Sequence, residues 1–129
     1  MLIVDASVFV AIALDHPSRD LVGRELRGQR LVAPELIDAE VANALKRHER
    51  SGRLERARAT TFVRSLAHAP IRRVSHRLLL QDAWDARHQL STYDAFYVAL
   101  ARRLGVPVIT HDRRWAAAGD LGITVITVG

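Results

Sequence analysis

Short apolar segments alternate with longer segments of helical pattern along this chain. The apolar segments cover residues 2–4, 30–33, 71–74, 106–110 and 123–128, and the last two are rich in β-branched residues and bounded by glycines, as buried strands often are. Helical patterns run from Val8 to Leu14, from Pro34 to about Arg50, and from Ser91 to Gly105. Strands that alternate with helices predict βαβ units and a parallel sheet.

Four acidic residues stand where these elements meet one edge of the predicted sheet. Asp5 and Asp112 follow the first and fourth strands, Asp94 lies in the first turn of its helix, and Glu40 lies early in another helix. In a parallel sheet the ends of the strands and the starts of the helices share one edge, where ligands of open α/β sheets bind. We therefore expect the four carboxylates to face one crevice.

Asp5 and Glu40 also have structural interpretations. Asp5 can cap the following helix, but Ser7 is available for that purpose, and a carboxylate at the end of a buried strand is costly without a partner. Glu40 falls on the apolar helical face that must meet the sheet, where a charged residue is unexpected. Both positions therefore favour a functional role.

Asp94 and Asp112 are more ambiguous when each is taken alone. Asp94 complements the helix dipole and forms a capping-box pattern with Ser91. Asp112 is compatible with an ordinary turn. Their proximity to the other two acids is what favours a shared site.

Four neighbouring carboxylates repel one another, and a bound divalent cation relieves that repulsion. Oxygen ligands suit Mg²⁺ or Mn²⁺. Zinc is disfavoured because the chain has no cysteine and its six histidines show no HxH or HxxxH spacing. We predict a Mg²⁺ site, with Mn²⁺ as the alternative ion.

The length of 129 residues and the hydrophobic content of 49% predict one folded domain over residues 1–129. No apolar run approaches transmembrane length, and no signal-peptide pattern opens the chain. These features predict a cytoplasmic protein without membrane association.

The formal net charge is +5, and Lys46 is the only lysine among 19 basic residues. A basic surface rich in arginine suits nucleic acid, because guanidinium groups match phosphate oxygens. An arginine-rich composition of a solvated surface explains the charge equally well. The densest basic segment runs from residue 46 to 58, and within it Arg47, Arg50 and Arg53 are candidate RNA contacts.

Four sequence runs, LIVDASV (2–8), APELIDAEVANAL (33–45), STYDAFYVALA (91–101) and PVITHD (107–112), carry a resemblance to a known family. Together they resemble the acidic motifs of PIN-domain ribonucleases, specifically the VapC-type toxins of toxin–antitoxin pairs. The resemblance implies a three-layer α/β/α sandwich around a mostly parallel five-stranded sheet. It also implies homodimerisation, inhibition by a cognate antitoxin and Mg²⁺-dependent cleavage of structured RNA.

Residue by residue, Asp5, Glu40, Asp94 and Asp112 match the acidic quartet of that family. Of these, Asp5, Asp94 and Asp112 are the predicted metal ligands. Ser7 and Thr110 match supporting hydroxyl positions, and Asn43 matches an asparagine one turn after the glutamate. His111 departs from the pattern, because the family more often has a small residue there.

Other functional classes fit less well. A haloacid-dehalogenase-type phosphatase needs a second aspartate where this chain has Ser7, and a receiver domain needs a lysine near its last strand, whereas the only lysine is Lys46. A non-catalytic basic module that binds RNA or protein around a structural metal ion stays open as the alternative.

Overall fold

The computed structural model describes residues 1–129 as five strands and seven helices. The strands are β1 (Leu2–Val4), β2 (Leu31–Pro34), β3 (Ile71–Val74), β4 (Val108–Thr110) and β5 (Val125–Thr127). The helices are α1 (Ala6–Ala13), α2 (Arg19–Leu26), α3 (Leu36–Arg50), α4 (Arg56–Ala67), α5 (His76–Asp85), α6 (Thr92–Leu104) and α7 (Arg114–Ala117).

The five strands form one sheet in the order β3-β2-β1-β4-β5, and every neighbouring pair is parallel. This confirms the predicted α/β architecture. The chain moves outward from β1 to β3 on one side and then returns to place β4 on the other side of β1. The strand order therefore reverses between β1 and β4, which is the position where open α/β sheets bind their ligands.

Alternate residues of the strands pack on opposite faces of the sheet. Leu2 and Val4 of β1 pack with Val8 of α1 and Val22 of α2 in one apolar cluster. Ile3, which points the other way, belongs to a larger cluster that includes most of α6. Side chains that alternate between two cores are expected of a strand covered by helices on both faces.

The helices predicted from periodicity correspond to α1, α3 and α6. Gly105 ends α6 in the left-handed conformation at φ 64°, as its position after the apolar pattern indicates. The sequence did not predict α2, because its apolar side is short: Val22 is the only buried residue, and Leu26, one turn later, is partly buried against the same cluster.

Pro34 was expected in the first turn of α3, but it is the last residue of β2, paired in register with Val74. The helix begins at Leu36 instead. His76 Nε2 accepts a hydrogen bond of 2.8 Å from the Leu36 backbone N–H, which would otherwise lack a partner at the start of the helix. Pro34 lies beyond the pairing of β2 with β1, which ends at Ile3 and Val32, so the missing N–H of Pro34 removes no hydrogen bond to β1.

None of the seven helices combines the length and the hydrophobicity needed to cross a membrane.

Candidate functional site

A cleft of about 490 Å³ opens where the sheet order reverses, at the carboxyl ends of β1 and β4. All four acids predicted from the sequence line it: Asp5, Glu40, Asp94 and Asp112. Other polar residues on its walls are Ser7, His16, Asn43, Arg47, His48, Tyr93, His111 and Arg114. The cleft thus combines an acidic centre with several basic or imidazole side chains.

Asp5 is buried at the end of β1, with 5% of its surface exposed. The register that pairs Val4 with Ile109 places Asp5 beside Thr110 on the neighbouring strand. The hydroxyls of Ser7 and Thr110 both donate to Asp5 Oδ2, at 2.5 Å and 2.9 Å. Burial raises the pKa of Asp5, and these two donors partly oppose the increase.

Ser7 and Thr110 therefore lie where the sequence placed them, although Ser7 does not cap α1. Asp5 occupies the N-cap position, and Ser7 lies inside the first turn. The Ser7 hydroxyl also accepts the His111 backbone N–H at 2.9 Å, and Thr110 Oγ1 accepts the Asp112 backbone N–H at 3.0 Å. The two hydroxyls connect the segments that follow β1 and β4.

Glu40 lies in the second turn of α3, half-buried on the stripe that faces the sheet. Its Oε1 accepts a hydrogen bond of 2.8 Å from the hydroxyl of Tyr97. Burial raises the pKa of Glu40 to about 7, with further increases from the charges of Asp5 and Asp94, while the Tyr97 hydrogen bond opposes them. A carboxyl group with a pKa near neutrality is suited to accepting and releasing a proton.

Tyr97 was not identified from the sequence. Its ring is fully buried within a run of buried residues from Ala95 to Ala101, so the pattern indicated only a core position. Its spacing could have indicated a place near the acidic cluster, because Tyr97 follows Asp94 by three residues and lies on the same helical face.

Asp94 lies in the first turn of α6, where Ser91 Oγ accepts its backbone N–H at 3.2 Å. The predicted cap is therefore present. Burial raises the pKa of Asp94, and the charges of Asp5 and Asp112 raise it further, so capping does not remove Asp94 from the acidic cluster.

Asp112 differs from the other three acids because it is paired with a guanidinium. Its Oδ2 lies 2.5 Å from Nη2 of Arg114, and Nε of Arg114 lies 3.0 Å from each carboxylate oxygen. Arg114 holds the pKa of Asp112 below its usual value. Arg114 was not identified from the sequence. Arg113 and Arg114 both follow Asp112, and the sequence does not show which of the two contacts it.

Two histidines form part of the cleft wall beside the acids. The rings of His16 and His111 meet edge to face, with centroids 4.4 Å apart, and Ser18 Oγ lies 2.8 Å from His16 Nδ1 and 3.2 Å from His111 Nε2. Burial and the neighbouring His16 lower the pKa of His111. His111 is thus a packed wall residue of the cleft.

Of the remaining predicted site residues, Asn43 and Arg47 line the cleft and are exposed. Arg50, at the end of α3, and Arg53, in the following turn, are exposed but lie outside the cleft lining. Only Arg47 of the three arginines is therefore in a position to contact a molecule inside the cleft.

The donor set fits a hard divalent cation, because it consists of carboxylate oxygens whose charges raise the pKa of Glu40 and Asp94. The arrangement is open, however: no three His, Cys, Asp or Glu side chains converge closely enough to hold an ion between them. Mg²⁺ commonly keeps several waters and one or two carboxylate ligands, so a site of this kind is compatible with it.

Residues 2–121 match the sequence profile of the PIN domain. The chain belongs to the PIN-domain family.

Its relatives within that family are VapC proteins. It is 36% identical to Ribonuclease VapC1 of Mycobacterium tuberculosis over 121 residues, covering 92% of this chain and 91% of the relative. It is 33% identical to Ribonuclease VapC9 of the same organism over 129 residues, covering 99% and 98% of the two chains. The family resemblance of the four sequence runs is thereby confirmed.

Solved structures support the fold. The crystal structure of Mycobacterium tuberculosis VapC20, described as a Sarcin-Ricin loop cleaving toxin, matches with a TM-score of 0.71 at 19% identity, covering 92% of this chain and 95% of that one. The crystal structure of PAE2754 from Pyrobaculum aerophilum matches with a TM-score of 0.65 at 26% identity, covering 96% and 82%.

Proposed function

We propose that this protein is a metal-dependent endoribonuclease that acts as the toxin of a toxin–antitoxin pair. The observation that carries the proposal is the convergence of Asp5, Glu40, Asp94 and Asp112, from four separate segments, on one cleft of a PIN-domain chain. The names of its VapC relatives support RNA as the substrate. Structured RNA is the specific class that we propose.

Each acid takes a role that follows from its surroundings. Asp5, Asp94 and Asp112 would hold Mg²⁺, or Mn²⁺, directly or through water. Glu40, with a pKa near 7 and a fixed donor in Tyr97, would orient the attacking water and accept its proton. Ser7 and Thr110 would keep the Asp5 carboxylate in place through the hydrogen bonds to Oδ2.

The cation, when bound, would acidify a water molecule and offset charge on the scissile phosphate. Attack in line on phosphorus would leave products with 5′-phosphate and 3′-hydroxyl ends. Arg47, on the wall of the cleft, would contact the RNA backbone, and Asn43 would support Glu40 from the next turn of α3.

The proposed partners are RNA, a cognate antitoxin and a second copy of the chain, all within the cytoplasm. We propose that residues 1–129 act as a single domain. A candidate surface for the homodimer is the outer face of α5, where Leu80 and Trp84 lie one turn apart with 57% and 59% of their surfaces exposed. Apolar side chains of this size at such exposure favour a protein contact.

The cleavage proposal is tested by incubating the purified protein with bulk structured RNA in Mg²⁺, in Mn²⁺ and in EDTA. Cleavage is expected with either cation and not in EDTA. Asp94→Asn should abolish it, while Asp20→Asn, which removes an exposed acid of α2 outside the cleft, should leave it unchanged. Cleavage that persists in excess EDTA, or that survives Asp94→Asn, would contradict the proposal and favour a binding module.

The toxin and dimer proposals need separate experiments. Expression of the parent chain should arrest growth, and expression of the Asp94→Asn chain should not, whereas the antitoxin encoded beside it should relieve the arrest. Equal growth of both strains would contradict the toxin assignment. Sedimentation should show a dimer that weakens in Trp84→Ser, and a monomer at all concentrations would exclude it.

A further inference from the structure

Arg114 makes an unusually complete contact with one of the four acids. Its backbone N–H donates to Asp112 Oδ1 at 2.9 Å, and its guanidinium reaches both carboxylate oxygens through Nε and Nη2. Both oxygens of Asp112 are therefore engaged by the same residue. A cation that uses Asp112 as a ligand must compete with that guanidinium.

The contact is nevertheless easily exchanged. The Arg114 side chain is 86% exposed, whereas the Asp112 side chain is 20% exposed, so solvent surrounds the guanidinium on its outer side. A bidentate arginine–carboxylate pair is among the stronger surface ion pairs, but here water rehydrates the exposed guanidinium when it leaves Asp112, and the long side chain regains entropy. Arg114 can therefore leave Asp112 without disturbing the packed part of the fold.

Arg114 also remains close to the reaction site if it moves. It lines the same cleft as the four acids, and the charges of Asp94 and Asp5 act on it in addition to that of Asp112. A guanidinium presents a planar set of donors that fits two oxygens of a phosphate as well as it fits a carboxylate. Its second possible partner in this cleft is thus the RNA backbone.

We propose that Arg114 is an exchangeable cation of the acidic site: it pairs with Asp112 before a divalent cation binds, and it binds an RNA phosphate once that cation engages Asp112. The inference rests on the proposed ribonuclease function. It assigns two roles to one side chain, opposing metal binding and supporting RNA binding.

A purely structural role makes different predictions. If Arg114 only fixes Asp112 and the start of α7, its removal lowers metal affinity, because Asp112 loses its orientation. If Arg114 is exchangeable, its removal raises metal affinity, because a competitor is gone. Arg113 provides the matched control, since it is the adjacent arginine, is exposed, and donates to the Gly129 carbonyl at 3.0 Å outside the cleft lining.

The first measurement is Mn²⁺ binding to the RNA-free protein, followed by electron paramagnetic resonance. Arg114→Ala is expected to bind Mn²⁺ about two- to fivefold more tightly than the parent, the range expected for loss of an exposed ion pair. Arg113→Ala should match the parent. Affinity of Arg114→Ala that is equal to or weaker than that of the parent would overturn the proposal.

The second measurement is the anisotropy of a short fluorescein-labelled RNA hairpin, titrated in EDTA and in Ca²⁺, which carboxylates and phosphates also bind. In Ca²⁺, Arg114→Ala should weaken RNA binding about tenfold relative to Arg113→Ala, as expected for a charge-assisted hydrogen bond. In EDTA, where Arg114 stays on Asp112, the two variants should bind alike. Arg114→Lys should recover only part of the Ca²⁺-dependent affinity, because lysine lacks the two-pronged fit.

The two measurements separate this proposal from the ribonuclease assignment. If the parent binds Mn²⁺ and cleaves RNA while Arg114→Ala behaves like Arg113→Ala in both assays, only the role of Arg114 is wrong. If the parent neither binds Mn²⁺ nor cleaves RNA, both proposals are wrong.

Discussion

The hydroxyl of Tyr97 donates to Oε1 of Glu40 at 2.8 Å, which joins the middle of α6 to the second turn of α3. The Tyr97 ring is fully buried, and burial together with the Glu40 charge raises the pKa of the phenol far above its ordinary value. Tyr97 therefore stays protonated at any physiological pH. It is a permanent donor that holds Glu40 in one orientation at the wall of the cleft.

We expect Tyr97→Phe to lower the cleavage rate at neutral pH by about tenfold, which is less than the roughly 10²–10⁴-fold contribution of a general acid or base because Glu40 itself remains. Loss of the donor also raises the pKa of Glu40, so the pH–rate profile should shift to higher pH. The profile is measured at saturating Mn²⁺, with the melting temperature as a control for folding. An unchanged pH profile would show that the Tyr97 hydroxyl does not act through Glu40.

The stability of the metal-free protein should depend on pH through Glu40. Its pKa rises from 4.5 to about 7 on folding, so the folded state binds the proton more tightly than the unfolded state. That stabilisation is complete below pH 4.5 and is lost as the pH rises through 7. Asp5 and Asp94, whose pKa values are also raised, act in the same direction.

The melting temperature in EDTA should therefore rise as the pH falls from 8 toward about 5. Glu40→Gln should flatten this dependence, and Asp20→Asn should not. The pKa of Asp112 is lowered instead. Its ionised form therefore stabilises the fold, and that stability is lost only when the pH falls below the ordinary value of 3.8. A melting temperature in EDTA that increases with pH over this range would contradict the assignment of Glu40.

Asp94→Asn should abolish cleavage and, in EDTA, preserve or raise the melting temperature, by up to about 4 °C. The reason is that the substitution removes one charge from a cluster of carboxylates that repel one another. Asp5→Asn should likewise abolish cleavage and preserve stability. Differential scanning calorimetry and the cleavage assay test both parts, and a metal-free Asp94→Asn protein that melts well below the parent would indicate a structural role.

Thr110→Val should destabilise the fold by about 1–3 kcal/mol, because the buried Asp5 carboxylate loses a donor and the half-buried Asp112 N–H loses its acceptor. Thr127→Val is the matched control. Thr127 pairs with Thr110 in register on β5 but is exposed, so replacing it should leave the free energy of unfolding nearly unchanged. Urea denaturation of both variants measures the difference, and equal free energies of unfolding would contradict the prediction.

Arg47→Ala should weaken RNA binding and reduce the salt dependence of the binding constant by about one counterion, since one phosphate contact is lost. Arg24, on α2 and outside the cleft, supplies the control. RNA affinity measured over a range of salt concentrations tests this prediction. If the logarithm of the binding constant falls equally steeply with the logarithm of salt concentration in Arg47→Ala and Arg24→Ala, Arg47 does not contact the RNA backbone.

The sequence predicted the parallel sheet and the convergence of the four acids, because both follow from apolar periodicity and from where each acid stands relative to a strand or helix. It did not predict the strand order, which depends on long-range packing. Nor did it predict the partners of Glu40 and Asp112. Tyr97 lies in a continuously buried helical segment, where a phenol has no distinguishing pattern, and Arg114 is distinguished from Arg113 only by the backbone turn after Asp112.

The two ends of the cleft differ in how firmly they are held. Asp94 opens a helix that is buried continuously from Ala95 to Ala101, and Asp5 is fixed by hydroxyls from two segments. Asp112 instead precedes α7, a helix of four residues in which only Trp115 is buried. The wall that carries Asp5 and Asp94 is therefore anchored more firmly in the core than the wall that carries Asp112. Under the proposed function, we expect substitutions in this short helix to change RNA preference more readily than substitutions around Asp5 and Asp94 change it.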